Sequence, residues 1–168
     1  YIAKRGAGLP LLYPNSRYTF IEDFLRMTFG IPYEVHEIDP DVVAALLTQQ
    51  RLRARAVAKF GEFGYDMLFT ADGLEQASRL EVAATHAGRF YNASLATVHD
   101  LGCGIGSDAV AMSALGVTVQ GVDIDPVTAA IADINLRPWP DSRAREGYAE
   151  EFEPPRDPLR SRVGVWLD

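Results

Sequence analysis

The feature that most constrains this chain is the segment Asp100–Ser107, which places glycines at three alternate positions. The β-branched run Thr97–His99 before it is typical of a strand, and Ser107–Leu115 after it has the pattern of a helix that ends at Gly116. A strand, a loop of bare backbone and a helix form the first half of a βαβ unit. Such a loop lets a ligand approach the backbone closely.

A second predicted strand, Val117–Val122, ends at Asp123. At the carboxyl end of a parallel strand, a carboxylate can accept hydrogen bonds from both hydroxyls of a ribose. The glycine spacing differs from the G-x-G-x-x-G fingerprint of dinucleotide sites, since Gly106 follows Gly104 by only two positions and Asp100 precedes the first glycine. A carboxylate there repels a phosphate and attracts a cation. The two motifs therefore predict a site for a positively charged nucleoside.

The acid-x-Gly-x-Gly-x-Gly loop and the acid after the next strand resemble the class I S-adenosylmethionine-dependent methyltransferases. The resemblance implies an α/β, Rossmann-like, doubly wound sheet and S-adenosyl-L-methionine as the cofactor. It implies these cofactor-binding candidates: Thr70, Asp100, Gly102, Cys103, Gly104, Gly106, Asp123, Ile124 and Glu150. Glu150 would replace the acid that meets the adenine amine in the family. A glycine turn that binds nothing and a nicotinamide or flavin site stay open as alternatives.

The stretch before the loop carries a second resemblance. Met67–Ala83 resembles the trimethylguanosine synthase family, in which an aromatic residue, a threonine and an acid open a helix over the cofactor. Gly73–Ala77 is similar to bacterial methyltransferases that carry a THUMP-like domain. Both imply methylation of RNA at guanine N2, and they leave Thr70 either capping a helix or placing its hydroxyl near the cofactor.

The acceptor is less defined than the cofactor. Amino-methyltransferases of this class carry an Asp/Asn-Pro-Pro-aromatic motif after the fourth strand, and Trp166-Leu167-Asp168 ends where that motif would begin. Asp168 is therefore the candidate catalytic residue that orients the acceptor. The prolines and the aromatic residue are absent from this sequence, so a small molecule, a protein or a role as a non-catalytic cofactor-binding module stay open beside RNA.

Helical patterns fill the first part of the chain, and short strands fill the second. We expect a helical cap over residues 1–90 and a partial cofactor-binding core over residues 91–168. The predicted helices before the loop run from Thr19 to Gly30, from Asp39 to Gly61, and from an Asp72/Glu75 capping box to about Ala87 before Gly88. The predicted strands are Thr97–Leu101, Val117–Val122, a weak Gly147–Phe152, and Val163–Leu167.

About four strands, against seven in a complete class I sheet, suggest a truncated core. We expect such a fragment to be inactive and to expose a sheet edge at Val163–Leu167 that invites self-association.

Composition bounds the partners. The chain has 168 residues, 48% of them hydrophobic, and a net charge of −7, so it has no overall basic surface for nucleic acid. Arg51, Arg55 and Lys59 lie four residues apart on one predicted helix face, which is either a solvated face or a local patch for RNA phosphates. No apolar run is long enough to span a bilayer. A single cysteine and no leader pattern predict the cytoplasm, and three scattered histidines predict no metal site.

Overall fold

The computed structural model of the chain describes residues 40–157 and 162–167. The chain divides into two units, Tyr1–Thr48 and Gln49–Asp168, and of the first unit only Pro40–Thr48 is described. The predicted helix from Thr19 to Gly30, the predicted cap Asp39 and the candidate Asp168 lie outside the described residues.

The described residues form helices and short parallel strands. The helices are α1 (Pro40–Phe60), α2 (Ala71–Gln76), α3 (Leu80–Asn92), α4 (Ser107–Ala114) and α5 (Pro126–Asn135), with short 3₁₀ helices at Gly61–Tyr65 and Ala149–Glu151. The strands are β1 (Thr97–Leu101), β2 (Thr118–Asp123), β3 (Arg143–Glu146) and β4 (Val163–Leu167).

The strands form one four-stranded sheet in the order β3-β2-β1-β4, and all pairs are parallel. The helices α4 and α5 connect β1 to β2 and β2 to β3, so the chain has the alternating pattern of an α/β Rossmann-like fold. This confirms the predicted fold class. In the register of the sheet, Asp100 lies between Gly121 of β2 and Trp166 of β4.

Two apolar clusters stabilise this arrangement. The first lies between the sheet and the helices and includes the fully buried Val98, Met112, Val119 and Leu136. The second joins the end of α1, the segment before α2 and the glycine loop: Leu52, Ala56, Phe60, Met67, Phe69, Leu74 and Ile105. Because Ile105 is only 1% exposed within this second cluster, the loop is tied to the helices that precede the sheet.

The structure corrects the helix predicted from Asp72 to Ala87. This stretch forms two helices, since the backbone of Ala77 is extended (φ −55°, ψ 138°) and α3 begins only at Leu80. The residue that caps α2 is Thr70, whose side chain accepts a hydrogen bond from the Gly73 N–H. Gly88 lies inside α3 and does not end it. The helix therefore begins two residues earlier than predicted, because its N-cap is Thr70 and not Asp72.

The strand predicted at Gly147–Phe152 is also wrong. The third strand is β3, Arg143–Glu146, and residues 149–151 form a 3₁₀ helix. Only Ala144 of β3 is buried, because β3 is an edge strand with charged residues at its other positions. Such a sequence has no apolar alternation from which a strand could be recognised.

The domain boundary predicted near residue 90 stays a prediction, and the unit that contains the sheet begins at Gln49. Helices α2 and α3 belong to the same unit as the sheet, since α3 packs along α4 and the Gly73 backbone of α2 lies against Ile105.

Strand β4 forms the edge of the sheet opposite β3, and its Leu167 is 68% exposed. Pairing of this edge with another chain stays a prediction. None of the described helices is long and apolar enough to cross a membrane.

Candidate functional site

The loop between β1 and α4 has a backbone that favours glycine at three positions. Gly102, Gly104 and Gly106 have φ values of +87°, +55° and +83°, which side chains of L-residues rarely adopt. A Cβ at Gly102 or Gly104 would have no neighbouring atom within 4 Å. These glycines are therefore needed for the conformation, and the space in front of the loop backbone is open.

Asp123, at the carboxyl end of β2, is held by two backbone groups. Its Oδ2 accepts from the N–H of Gly104, and its Oδ1 accepts from the N–H of Asp125, both at 2.9 Å. A carboxylate offers about four acceptor positions, so each oxygen retains one for a ligand. The loop and the turn after β2 thus fix the orientation of a carboxylate that can still accept two hydroxyl groups.

A cavity of about 190 Å³ lies beside Asp123. Four of the predicted cofactor residues line it: Gly102, Asp123, Ile124 and Glu150. Val122, Gly147, Tyr148 and Ala149 line it as well, and none of them was predicted as a site residue. Tyr148 is 56% exposed and lies just after β3, so a correct position for β3 would have indicated it.

Other predicted residues lie behind the loop or beside it. Asp100 is 2% exposed, and Cys103 is 8% exposed. Burial, with the nearby charges of Asp100 and Asp123, raises the pKa of the Cys103 thiol well above its usual range, so the thiol is neutral. A Cβ at Gly121 would lie 3.0 Å from its Sγ, which shows that Cys103 packs tightly over β2.

Thr70 lies next to the loop and outside the cavity lining. Its Oγ1 accepts from the Gly73 N–H at 2.9 Å. A Cβ at Gly73 would overlap Ile105 Cγ2 and would lie 2.6 Å from Thr70 Oγ1, so the first turn of α2 lies directly against the loop. The capping role predicted for Thr70 is therefore observed, and Thr70 is also adjacent to Ile105.

The start of α4 carries a carboxylate. Asp108, in the first turn of α4, accepts from Nδ1 of His86 at 2.8 Å, and the His86 ring lies 4.6 Å from that of Trp166. A pyrophosphate binds at the N-terminus of such a helix in dinucleotide sites. A phosphate at this helix start would therefore meet the carboxyl group of Asp108, which is 7% exposed.

The predicted basic stripe is partly engaged in contacts within the chain. Arg55 forms an ion pair with Glu75 at 3.1 Å, and Lys59 Nζ donates to the carbonyl oxygens of Leu74, Glu75 and Ala77 at the end of α2. The Lys59 ammonium therefore caps α2. In residues 40–157 and 162–167, no group of three or more His, Cys, Asp or Glu side chains could hold a metal ion.

Comparison with known proteins gives two different similarities. The chain is 40% identical over 90 residues to an uncharacterized S-adenosylmethionine-dependent methyltransferase of Mycobacterium tuberculosis H37Rv. The matched segment covers 51% of this chain and 24% of that protein. The chain is also 50% identical over 46 residues to citrate synthase 1 of the same strain. This second matched segment covers 27% of this chain and 11% of that enzyme. No family model matches the chain.

Among solved structures, the crystal structure of a "putative methyltransferase" from Porphyromonas gingivalis W83 superposes with a TM-score of 0.57. The superposition covers 84% of this chain and 38% of that chain, at 19% identity. The chain therefore shares the α/β, Rossmann-like fold of that structure. It spans about a quarter of the curated methyltransferase and about a tenth of the citrate synthase that it matches.

Proposed function

We propose that this chain contains the cofactor-binding part of an S-adenosylmethionine-dependent methyltransferase. The observation that carries the proposal is Asp123, which is fixed by the loop, retains two acceptor positions and faces the cavity beside β2. The similarity to the mycobacterial methyltransferase supports it.

The residues around the cavity fit the adenosine part of the cofactor. Asp123 would accept the two ribose hydroxyls, and Glu150 would accept from the adenine amine. Tyr148 and Ile124 offer apolar surface for the adenine ring, since both line the cavity and are more than half exposed. The open space before Gly102 and Gly104 would admit the rest of the cofactor against the backbone.

S-adenosylmethionine supplies an activated methyl group on a positively charged sulfur. The carboxylates of Asp100 and Asp123 lie at the carboxyl ends of adjacent strands and favour a cation in this region. The protein's task in methyl transfer is largely to hold the acceptor in line with the methyl group and to exclude water. A nicotinamide dinucleotide would instead bring its pyrophosphate towards Asp100 and Asp108.

We propose an RNA base amine, such as guanine N2, as the acceptor. The support is the resemblance of Met67–Ala83 to the trimethylguanosine synthase family and the exposed Arg51 and Arg55. In this proposal Asp168 would accept a hydrogen bond from the amine. A small-molecule acceptor, a protein acceptor and a non-catalytic module are the alternatives.

Titration calorimetry with S-adenosylhomocysteine and with NAD tests the cofactor. We expect the first to bind and the second not to. Asp123→Asn should weaken binding by about 1–3 kcal/mol, because the ribose hydroxyls lose their charged acceptor. Asp141→Asn removes the same charge at an exposed position before β3 and is the matched control. Tighter binding of NAD, or equal affinity of both variants and the wild type, would contradict the proposal.

The RNA proposal is tested by measuring RNA affinity of the Arg51→Gln, Arg55→Gln double variant at several salt concentrations. Loss of two phosphate contacts should lower the slope of log affinity against log salt by about 0.7 per contact on single-stranded RNA. Lys59 is left unchanged because its ammonium caps α2. An unchanged affinity and slope would favour a small-molecule or protein acceptor.

A further inference from the structure

We propose that Asn135 is a positioning residue for the cofactor site, because its side chain joins the glycine loop to the segment that leads into α2. This inference rests on the proposed function. Asn135 is the last residue of α5 and is 6% exposed.

All hydrogen bonds of the Asn135 amide go to main-chain groups. Its Oδ1 accepts from the Leu68 N–H at 2.8 Å, and its Nδ2 donates to the Leu68 carbonyl at 3.1 Å and to the Ile105 carbonyl at 2.9 Å. A primary amide has two donor hydrogens, and both are used here. A side chain of another shape or with one donor cannot make the same three bonds.

The Ile105 contact fixes the loop where its own backbone is least restricted. Ile105 lies between Gly104 and Gly106, both with positive φ. Two side chains from outside the loop hold consecutive residues of it: Asp123 binds the Gly104 N–H, and Asn135 binds the Ile105 carbonyl. Asp123 precedes α5 and Asn135 ends it, so this helix sets the spacing of the two contacts.

The Leu68 contact extends the connection to Thr70. Side chains of α1 hold the residues on either side of Leu68: Arg53 Nε donates to the Met67 carbonyl at 2.8 Å, and Gln49 bonds both the N–H and the carbonyl of Phe69. The backbone of 67–69 is therefore fixed by polar side chains. Asn135 also bonds to the loop at Ile105, so its side chain links the segment that leads to Thr70 with the glycines.

A residue that is only structural would lower stability without a specific effect on cofactor binding. Ser142 provides the matched control, since its Oγ is bonded to Ser113 Oγ at 2.8 Å and accepts from the Val119 N–H at 3.0 Å. Ser142 is 2% exposed, and its partners lie near the start of β2 and the end of α4, away from the loop. Both residues thus make buried hydrogen bonds to other elements, but only Asn135 contacts the loop.

The experiment compares Asn135→Ala, Asn135→Asp and Ser142→Ala in the whole chain. Asn135→Asp keeps the size of the side chain and the acceptor for the Leu68 N–H, but it cannot donate to the two carbonyls. This variant replaces Asn135→Ala in the comparison if Asn135→Ala does not fold. The affinity for S-adenosylhomocysteine is measured by calorimetry and the stability by thermal unfolding. Amide hydrogen exchange at residues 104–106 is measured without cofactor.

We expect both Asn135 variants to weaken binding about tenfold and to speed exchange in the loop. Ser142→Ala should lower the melting temperature, but it should leave the affinity for S-adenosylhomocysteine and the amide exchange of residues 104–106 unchanged. Equal affinity of the Asn135 and Ser142 variants, or unchanged exchange in the loop, would overturn the role of Asn135. Failure of the wild-type chain to bind S-adenosylhomocysteine would overturn the proposed function instead, and the exchange measurement would still report whether Asn135 holds the loop.

Discussion

The loop after β1 and the start of β2 are both held by polar side chains from other parts of the chain, but the two sets of contacts differ in kind. Near the start of β2, Ser113 and Ser142 bond to each other and to one strand N–H. At the loop, Asp123 and Asn135 bond to the backbone of residues that have no polar side chains of their own. Asp123 also keeps acceptor positions open towards the cavity.

This difference separates stability from function. A closed set of hydrogen bonds such as the serine pair stabilises the fold and offers nothing to a ligand. A loop of glycines has a large choice of conformations, so side chains elsewhere must select the one that leaves its backbone open. We therefore expect substitutions near the loop to affect both stability and cofactor binding, and those near the start of β2 to affect stability alone.

The largest effect is expected from Gly73→Ala. The new methyl group would overlap Ile105 Cγ2, so either α2 or the loop must move. Overpacking of this kind costs about 1–3 kcal/mol, and the displaced loop should also bind S-adenosylhomocysteine more weakly. Chemical denaturation and calorimetry measure the two effects.

The control for Gly73→Ala is Gly116→Ala, before β2. Gly116 has φ +84°, and no atom lies within 4 Å of the place that the new methyl group would occupy, so the cost is backbone strain without a clash. We expect a loss of about 1–2 kcal/mol of stability and unchanged cofactor affinity. A loss of affinity in Gly116→Ala equal to that in Gly73→Ala would remove the distinction between the two regions.

The same distinction explains what could be predicted from the sequence. The strand β1, the loop, β2 and Asp123 follow from a local pattern of β-branched residues, glycines and one acid, and the structure places them as expected. Asn135, Gln49 and Lys59 act on backbone groups up to 67 residues away in the chain. Neither periodicity nor spacing reports such contacts, since they depend on how helices pack.

The edge strand β3 shows a second limit of sequence analysis. Its residues Arg143–Glu146 are mostly exposed, so pairing with β2 alone makes them a strand. Tyr148 of the cavity was missed for the same reason. The basic stripe shows a third limit, because a helical spacing of four residues did not reveal that Arg55 and Lys59 contact α2.

An intermediate effect is expected at Cys103, behind the loop. Burial raises the pKa of its thiol, whereas the pKa of a cysteine in an unfolded chain is about 8.5. The native state therefore holds the proton more tightly, and its stability should decline as the pH rises above that value. Cys103→Ser or Cys103→Ala should lack this alkaline decline.

Alkylation of Cys103 gives an independent measure of loop opening. Iodoacetamide reacts with the thiolate, so we expect slow modification of the native chain at a pH of about 8 and rapid modification after unfolding. Added S-adenosylhomocysteine, bound against the loop backbone, should slow the modification further. Modification of the native chain as fast as that of the unfolded chain would show that the loop does not protect Cys103.

The smallest effect is expected at Asp125, the N-cap of α5. Its Oδ1 accepts from the Thr128 N–H at 2.7 Å, and this bond lowers the pKa of the exposed carboxyl. The carboxylate thus stabilises the native state above pH about 4, the usual aspartate pKa, and this contribution is lost as the pH falls through the lower native pKa. Asp125→Ser keeps an N-cap oxygen without the charge, so it should match the wild type closely at pH 7 and lose less stability on acidification. Asp125→Ala should be less stable at both pH values.

Urea denaturation at pH 7 and pH 3 measures these differences in stability. If the wild type and Asp125→Ser lose the same stability between pH 7 and pH 3, the charge at the start of α5 contributes nothing. Because α5 ends at Asn135, a small fall in cofactor affinity in Asp125→Ala alone would show that fraying of this helix reaches the loop.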